Sequence, residues 1–234
     1  MRHRATSIGI AALLSGALWL GTTGWAVATP VMPNMGGEPS LAIQGGILDT
    51  LYGLGNLTRM DDSVDLIWGN TGIAHVLVVA KYSGYDQTFG YMAGQSGGTF
   101  VPLVTVTGNG WFSGTEITFT SDLSGADFRW GNDPNGLGGT PGLWSAREDE
   151  NSDGRDHMVT WMITGNAGRP NNIVGAFVVG FEDLPRLGDA DYNDLVVLVW
   201  GVTDGPLAIP LPASLMLVAA SVLGGAGWSR LRRP

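Results

Sequence analysis

The chain has 234 residues, 37 of them glycine, and it contains no cysteine, which excludes a fold held together by disulfide bonds. All 21 Asp and Glu residues lie between residues 29 and 208, but only seven of the 12 Lys and Arg residues do, so this central body carries a net charge of about −14. Such an acidic surface repels phosphate groups, which excludes nucleic acids and anionic membrane surfaces as partners. The body is long enough to bury the core of one domain.

The first 28 residues have the features of a secretory signal peptide. Arg2 and Arg4 precede an apolar stretch from Ile8 to Leu20, and Ala26-Val27-Ala28 supplies the small-x-small pattern at which a signal peptidase cuts. The apolar stretch is shorter than the roughly 20 residues of a membrane-spanning helix, although an N-terminal membrane anchor is the alternative. We therefore predict export, with Thr29 as the first mature residue.

The other end of the chain is a second targeting segment, predicted to cover residues 203–234. A proline-rich stretch at 209–214 leads into an apolar run from Leu215 to Trp228, and an arginine cluster at 230–233 follows. This order describes a short hydrophobic helix whose basic end stays on the cytoplasmic side of a membrane.

The same tripartite order resembles the PEP-CTERM sorting signal in its Val-Pro-Leu-Pro-Ala variant, with Ile209 in place of the first Val. The resemblance implies that exosortase, a membrane enzyme, processes the tail and releases the protein to the cell surface or the extracellular matrix. Contact with the membrane is then expected only through this tail and only before processing. A permanent single-pass tail anchor is the alternative.

Between the two ends, clusters of Gly, Asn and Asp separate short apolar or alternating runs, which predicts many short strands joined by turns. In one of these runs Val159, Trp161 and Ile163 share a face. Only Pro39–Tyr52 shows a weak helical period. The predicted strands are Ile73–Ala80, Val101–Thr107, Thr115–Ser121, Met158–Thr164, Ile173–Phe181 and Leu195–Trp200.

These runs predict an all-β fold, an antiparallel β-sandwich or jelly-roll-like single domain, flanked by a signal helix and a hydrophobic sorting helix. We expect residues 29–69 to form a lead-in and the first elements of the mature domain. Residues 70–202 then form the sandwich itself, which we expect to be linked to calcium.

The first acidic segment, Asp149–Asp156, has the Asp-x-Asn-x-Asp-Gly spacing of half an EF-hand loop. Alternate residues bring three oxygen side chains to one side, and the glycine permits a sharp turn. The twelfth position holds Thr160 instead of a bidentate Glu, so other segments must supply further ligands. A solvated turn with self-capping Asp and Asn side chains is the alternative. The predicted calcium ligands here are Asp149, Asn151, Asp153 and Asp156.

The second acidic segment, Phe181–Leu195, is more crowded, and only Arg186 offsets its charge. Neighbouring carboxylates repel one another unless a cation or a proton neutralises them. Calcium prefers hard oxygen ligands of this kind. The predicted calcium ligands of this segment are Glu182, Asp183, Asp189, Asp191, Asn193 and Asp194.

This second segment also carries a family resemblance. Phe-Glu-Asp-Leu followed by Gly-Asp-x-Asp-Tyr-Asn-Asp-Leu-Val is similar to the C-terminal signature of the domain of unknown function 4114 family. Residues 84–90 and 156–160 are similar to its earlier segments, so the resemblance spans roughly residues 70–201. It implies a β-rich exported module that binds calcium and has no established catalysis.

The order of the strands suggests that the two acidic segments meet. The strand from Met158 leaves the first segment, and the strand ending at Phe181 enters the second. If these strands are adjacent and antiparallel, both segments lie at the same end of the sandwich. We therefore expect a non-catalytic, calcium-binding protein of the cell surface or the extracellular matrix, with an exopolysaccharide of a biofilm as a possible partner.

Two other functions were weighed. Tryptophans in a β-sandwich can stack on sugars, and Trp111, Trp130 and Trp144 lie among Gly, Asn and Asp, where exposure is expected, whereas Trp161 and Trp200 are expected in the core. This pattern favours a carbohydrate-binding module as the alternative. A polysaccharide-degrading enzyme would need two carboxylates about 5 to 9.5 Å apart in a cleft, and the sequence selects no such pair. Two of the three histidines, His75 and His157, are expected to be structural.

Overall fold

The computed structural model describes residues 26–28, 32–33, 38–70, 72–112, 117–119, 126–135, 143–169 and 171–205. Most of the predicted signal peptide and the sorting tail from residue 206 lie outside these ranges. Within them, no helix has the length and apolar composition needed to cross a membrane.

The described residues form short strands connected by turns, with little helix. One α-helix, α1, and two 3-10 turns interrupt the strands. In chain order the elements are β1 (Ala26–Ala28), β2 (Met32–Pro33), α1 (Ile47–Leu51), a 3-10 turn (Leu54–Asn56), β3 (Leu57–Arg59), β4 (Trp68–Asn70), β5 (Ala74–Lys81), β6 (Asp86–Ala93), β7 (Phe100–Val106), β8 (Gly110–Trp111), β9 (Ile117–Phe119), β10 (Ala126–Asn135), β11 (Met158–Ile163), β12 (Phe177–Phe181), a second 3-10 turn (Pro185–Leu187), β13 (Leu195–Trp200) and β14 (Thr203–Asp204).

Two sheets form the predicted all-β sandwich. The first has the strand order β1-β7-β6-β10-β4-β14, and the second has the order β2-β8-β5-β13-β12-β11-β3, with β9 also paired to β5. The strand pairs are antiparallel except for β1 with β7, which is parallel. β14 pairs with β4, so the first sheet reaches two residues into the segment predicted as the tail.

An aromatic core fills the space between the two sheets. Trp130 of β10 packs with its ring centroid 5.0 Å from Phe89 and 4.7 Å from Phe128. Trp68 meets Phe177 of the opposite sheet edge-on at 4.9 Å. Large rings in these geometries supply both buried area and favourable ring–ring contacts, so they hold the sheets together.

A second core lies on the outer face of the second sheet. Ile47 and Leu48 of α1 and the neighbouring Tyr52 are buried there against alternate residues of β13, namely Val196 and Leu198. The other residues of β13 face the first sheet. Because both faces of this strand are covered, its sequence is a continuous apolar run and not an alternating one.

Five of the six predicted strands match observed strands within a few residues, and β9 is the described part of the sixth. The sequence missed two long strands, β6 and β10, because the glycine inside each of them suggested a turn, and it also missed the strands of two or three residues β1, β2, β3, β4, β8 and β14. In β6, a Cβ on Gly90 would lie 2.2 Å from the carbonyl oxygen of Val101, so the glycine allows the close approach of β7 at a register shift. The weak helical period of Pro39–Tyr52 corresponds only to α1.

Two of the three tryptophans expected to be exposed are buried, which corrects the prediction. Trp130 is 1% exposed and Trp144 is 0% exposed, while Trp111 is half-buried. The backbone of Trp144 bridges to Asn132 of β10, which draws the loop onto the sheet. Local Gly and Asn content could not reveal this long-range pairing.

Trp161 and Trp200, expected in the core, are instead half-buried at the margin of the outer core. The Arg59 guanidinium lies over the Trp161 ring, 5.0 Å from its centroid. Trp200 stacks on His75 with ring centroids 4.8 Å apart, so His75 is also half-buried and not a fully packed core residue.

We predict that Gly180→Ala destabilises the fold, because the new Cβ would lie 2.6 Å from Leu41 Cδ2 and 2.7 Å from the Tyr192 carbonyl oxygen. Overpacking of this kind costs about 1–3 kcal/mol of unfolding free energy, measurable by equilibrium urea unfolding. Gly84→Ala is the matched control, since nothing lies within 4 Å of its Cβ position. Equal stability of the two variants would contradict the close packing of the Tyr192 loop on β12.

Candidate metal centre

The two acidic segments meet at one end of the strand pair β11–β12, as the strand order suggested. Met158 is paired with Phe181 in antiparallel register. One residue beyond that pair, the Glu182 N–H donates to the His157 carbonyl oxygen at 3.0 Å. The first acidic loop therefore ends, and the second begins, at the same position on the sandwich.

His157 joins the two loops. It is fully buried and stacks on Trp144, with ring centroids 3.8 Å apart and an interplanar angle of 7°. Its Nδ1 lies 2.8 Å from the Glu182 carbonyl oxygen, and its Nε2 lies 3.0 Å from Asp153 Oδ2. The Trp144 Nε1–H donates to the Asp183 carbonyl oxygen at 2.8 Å. The expected structural role of His157 agrees with these contacts.

All four ligands predicted in the first loop accept hydrogen bonds from protein groups, and for Asp156 the donor is the Met158 N–H at 2.9 Å. The Arg147 guanidinium donates to both carboxylate oxygens of exposed Asp149 and, chiefly through these hydrogen bonds, lowers the pKa of Asp149. Asn151 accepts from the Ser145 N–H at 3.0 Å, and Asp153 accepts from the Arg155 N–H at 3.1 Å. This part of the loop has the contacts of a self-capped turn.

The fourth residue, Asp156, points elsewhere. One of its carboxylate oxygens lies within 4.8 Å of oxygens from Asp62 and Asp65, which belong to the segment between β3 and β4. The Asp156 carboxylate thus belongs to a different group from the carboxylates of the second acidic loop. Nothing in the sequence pattern marked Asp62 and Asp65.

The second loop gathers five of its six predicted ligands around Glu182. One oxygen each from Glu182, Asp183 and Asp194 lie within 4.8 Å of one another, and the same holds for Glu182, Asp189 and Asp191. Glu182 and Asp183 are buried, and Asp189 is exposed. The loop therefore forms a cluster, here called the Glu182 cluster, that runs from the buried end of β12 to solvent.

Burial and neighbouring charges raise the pKa values of three members of the cluster, Asp194, Glu182 and Asp191. For Asp194 the main cause is burial, followed by the charges of Asp183 and Glu182. Burial is also the main cause for Glu182, and for Asp191 it is followed by the charge of Asp189. The ionised cluster is thus unfavourable without a compensating cation.

Other residues that the sequence did not single out complete the surroundings. The carboxylate of Asp183 accepts hydrogen bonds from the Ser83 hydroxyl and the Gln87 amide, and the Asp183 N–H donates to Asp194 Oδ2 at 2.7 Å. Gln87 lies in the segment 84–90, whose family similarity is the one sequence feature that could have pointed to it. Glu38 of the lead-in also faces the cluster: burial first, and then the charges of Asp191 and Asp189, raise its pKa.

Lys81 is a buried cation within electrostatic reach of the cluster, but its hydrogen bonds go to other groups. Its ammonium donates to the Ser83 carbonyl oxygen and to Asn109 Oδ1, both at 2.9 Å. Its charge therefore reaches Asp183 and Asp194 only over a longer distance. One lysine at that distance leaves most of the charge of the Glu182 cluster uncompensated.

Two buried acceptor atoms of this loop have no donor among the residues that the structure describes. They are Glu182 Oε2 and Asn193 Oδ1, from residues 0% and 1% exposed. Buried acceptors are normally satisfied by protein, water or an ion. The Asn193 amide group itself holds the loop by donating to the Pro39 carbonyl oxygen and to Asp191.

The backbone of the loop is also held in an uncommon conformation. Arg186, Leu187, Ala190 and Tyr192 all have positive φ angles, between 55° and 66°. Such non-glycine positions are costly and persist where the surroundings fix them, often at ligand sites. A dense set of hard oxygen ligands on a fixed loop is suited to a divalent cation, above all calcium.

A comparison with protein families bears on this region. Residues 113–201 match the family model described as Domain of unknown function (DUF4114). The DUF4114 match contains both acidic loops and the strands β11, β12 and β13 that carry them. It begins after the segment 70–112, which the sequence resemblance had included. A search of curated proteins found no match to this chain.

We predict that, in the presence of a chelator, the unfolding free energy falls as pH rises from about 4, where carboxyls of an unfolded chain ionise. In the folded state Glu182 and Asp194 keep their protons to higher pH than in the unfolded state. The stabilisation that comes from this extra proton binding is lost as pH rises through the raised pKa values of the two residues. Urea unfolding at pH 5 and pH 8 measures the fall. Glu182→Gln should make this fall in unfolding free energy smaller, whereas Asp204→Asn, at an exposed position, should leave it unchanged. An unchanged fall in Glu182→Gln would contradict the assignment of the pH dependence to Glu182.

Proposed function

We propose that this chain is an exported, non-catalytic protein whose sandwich is stabilised by calcium bound at the Glu182 cluster. The observation that carries the proposal is the convergence of four carboxylates on Glu182, whose buried Oε2 lacks a donor among the described residues. A cation there would neutralise the repulsion and supply the missing partner in one step.

Calcium suits this set of ligands better than a transition metal does. The oxygens come from carboxylates alone, without histidine or cysteine, and hard cations prefer such ligands. Calcium takes six to eight oxygens in a flexible geometry, which a cluster of five carboxylates with solvent access at Asp189 can help to supply. Glu182, Asp183, Asp189, Asp191 and Asp194 would hold the ion.

The sequence supports the proposed location. Residues 1–28 read as a signal peptide, and residues 203–234 read as a PEP-CTERM-type tail for processing by exosortase. A protein exported without cysteine cannot gain disulfides after export, so a bound ion is a suitable substitute. We propose a structural role at the cell surface or in an extracellular matrix, with an exopolysaccharide as a candidate partner.

The contacts of three aromatic residues weigh against the alternatives. Trp130 and Trp144 are buried and cannot stack on a sugar, which removes two of the three residues behind the carbohydrate-binding hypothesis. Both ring nitrogens of His157 contact acceptors of the two loops, so neither is free to act as a general acid or base. These contacts support the non-catalytic reading.

We predict that calcium raises the midpoint of thermal unfolding by several degrees relative to chelator. An ion that binds only the folded state adds about 2.7 kcal/mol at a hundredfold excess over Kd. Asp189→Ala and Asp191→Ala should remove most of this rise, since both side chains belong to the cluster.

Asp204→Asn is the control for this experiment, because it removes an exposed carboxylate of β14, in the other sheet and outside the Glu182 cluster. The informative contrast is Asp149→Asn, which should also respond to calcium because Asp149 bonds to Arg147. A calcium response lost in Asp149→Asn but kept in Asp189→Ala would transfer the site to the first loop.

We predict that replacing the arginine cluster at 230–233 with alanine retains the protein in the cell envelope of a bacterium that has an exosortase, because the basic stop fixes the orientation of the tail. Fractionation with an antibody to the body measures the cell-surface and medium fractions. Replacement of Arg155, an exposed arginine of the body, is the control. Normal release of the cluster variant would argue against sorting by this tail.

A further inference from the structure

The segment between β3 and β4 crosses from the second sheet to the first and is fastened at both ends. At one end the Met60 N–H donates to the Thr160 carbonyl oxygen of β11 at 2.9 Å. At the other, the Trp68 Nε1–H donates to the Asp65 carbonyl oxygen at 2.8 Å. These contacts fix the segment beside Asp156, the residue that leads into β11.

Three carboxylates from two distant parts of the sequence meet there. Asp62, Asp65 and Asp156 each place one oxygen within 4.8 Å of the others. Asp62 is exposed, Asp156 is half-buried and Asp65 is 0% exposed. The group, here called the Asp65 group, therefore runs from solvent into the interior.

The buried member of the group has no partner for its charge. Neither carboxylate oxygen of Asp65 has a hydrogen-bond donor among the described residues. Burial raises the pKa of Asp65, and the nearby Thr160 hydroxyl lowers it only in part, because a neutral hydroxyl does not compensate a buried charge. Buried carboxylates are ordinarily paired, hydrogen-bonded or bound to a metal ion, so the Asp65 oxygens point to a missing cation.

The neighbouring arginines do not supply that cation. Arg59 pairs with Asp62 and also donates to the Met60 and Thr160 carbonyl oxygens, which keeps it on the exposed side of the group. Arg147 is held by its hydrogen bonds to Asp149 and the Gln95 carbonyl oxygen. When all three carboxylates are ionised, the group and its one paired guanidinium carry two negative charges, which one divalent ion would neutralise.

An ion can reach the group from solvent. A surface cavity of about 440 Å³ is lined by Asp62 and Asp156, together with Glu148 and Asp149. The lining also contains Arg147, but its four acidic side chains outnumber this one arginine, so the opening attracts cations. Asp65 lies behind Asp62 and Asp156, where an entering ion would meet all three carboxylates.

We propose that Asp62, Asp65 and Asp156 form a second site for a hard divalent cation, calcium in the first instance. The three carboxylates would bind directly, and solvent from the cavity would complete the coordination. Such an ion would fasten the segment between the sheets to the start of β11. The site is independent of the one proposed at the Glu182 cluster, because the two groups share no residue.

The pKa values of the group agree with this arrangement. Burial raises the pKa of Asp65 to about 7, and burial followed by the charge of Asp65 raises the pKa of Asp156 to about 8. Tyr192 lies between the two acidic groups, and its hydroxyl donates to the Asp156 carbonyl oxygen at 3.0 Å. Burial, and then the charges of Asp156 and Glu182, raise the pKa of Tyr192 to about 12.

Calorimetric titration of the metal-depleted full chain with calcium chloride tests the proposal. Asp65→Asn keeps the shape of the side chain and removes its charge, so it should bind one calcium ion fewer than the unmodified chain. Asp61→Asn is the matched control: it changes the same charge in the same segment, lies outside the group, and preserves an acceptor for the Ser63 N–H.

Stability measurements separate a metal ligand from a merely structural residue. In chelator, Asp65→Asn should be at least as stable as the unmodified chain, because it removes an unpaired buried charge. In calcium the order should reverse, since the variant lacks the ion. If Asp65→Asn fails to fold, Asp62→Asn, at an exposed position, should weaken calcium binding at least tenfold without that difficulty.

Each outcome of the titration bears on a separate claim. Asp65→Asn or Asp62→Asn binding calcium like the unmodified chain would overturn the second site, whatever Asp194→Asn does. Loss of one ion in Asp65→Asn with full binding in Asp194→Asn would support the second site and overturn the proposed function at the Glu182 cluster. No calcium binding by the unmodified chain would overturn both.

Discussion

The antiparallel pairing of Met158 with Phe181 is the constraint on which the acidic end of the molecule depends. It brings the end of one acidic loop against the start of the other, and the hydrogen bond from the Glu182 N–H to the His157 carbonyl oxygen extends the pairing into the loops. A slip of one residue would turn every side chain of the strand to the other face. Such a slip would separate His157 from Glu182 and expose the apolar residues of β11. The cost of that exposure keeps β11 and β12 in the register that brings the two acidic loops together.

The same arrangement makes burial of the apolar strands unfavourable for the carboxylates that are attached to them. The apolar strands β12 and β13 are buried on both faces, and they draw Glu182, Asp183 and Asp194 to the margin of the core. Burial disfavours their ionised forms, and several left-handed residues keep the loop closed around them. Proteins keep such local conflicts mainly at functional positions. A proton shared between Asp194 and Glu182 relieves part of this conflict. The cation of the proposed function would relieve it with the residues already in place.

Sequence reasoning predicted the sandwich, six of its 14 described strands and the grouping of the acidic residues around Glu182, because each depends on local patterns. The period of the apolar residues follows from burial of the strands. Asp189 and Asp191 are neighbours in the sequence, so their side chains stay close in space. It failed where contacts are long-range. Trp130 and Trp144 have loop-like neighbours in the sequence but are buried by pairing between β10 and the 144 region. Asp62 and Asp65 gain significance only beside Asp156, roughly ninety residues away, and no local pattern marks that contact.

The extent of the folding unit follows from these long-range contacts. The DUF4114 match, residues 113–201, supplies β10, β11, β12 and β13, but the partners of those strands lie largely outside it. β13 pairs with β5, β10 pairs with both β6 and β4, and β11 pairs with β3. The matched residues alone would leave strand edges open and the aromatic core without Trp68 and Phe89. Residues 38–112 therefore complete both sheets and the core, and they also supply two of the three carboxylates of the Asp65 group. An ion there would join the matched and unmatched parts of the sandwich at the point where the chain passes between its sheets.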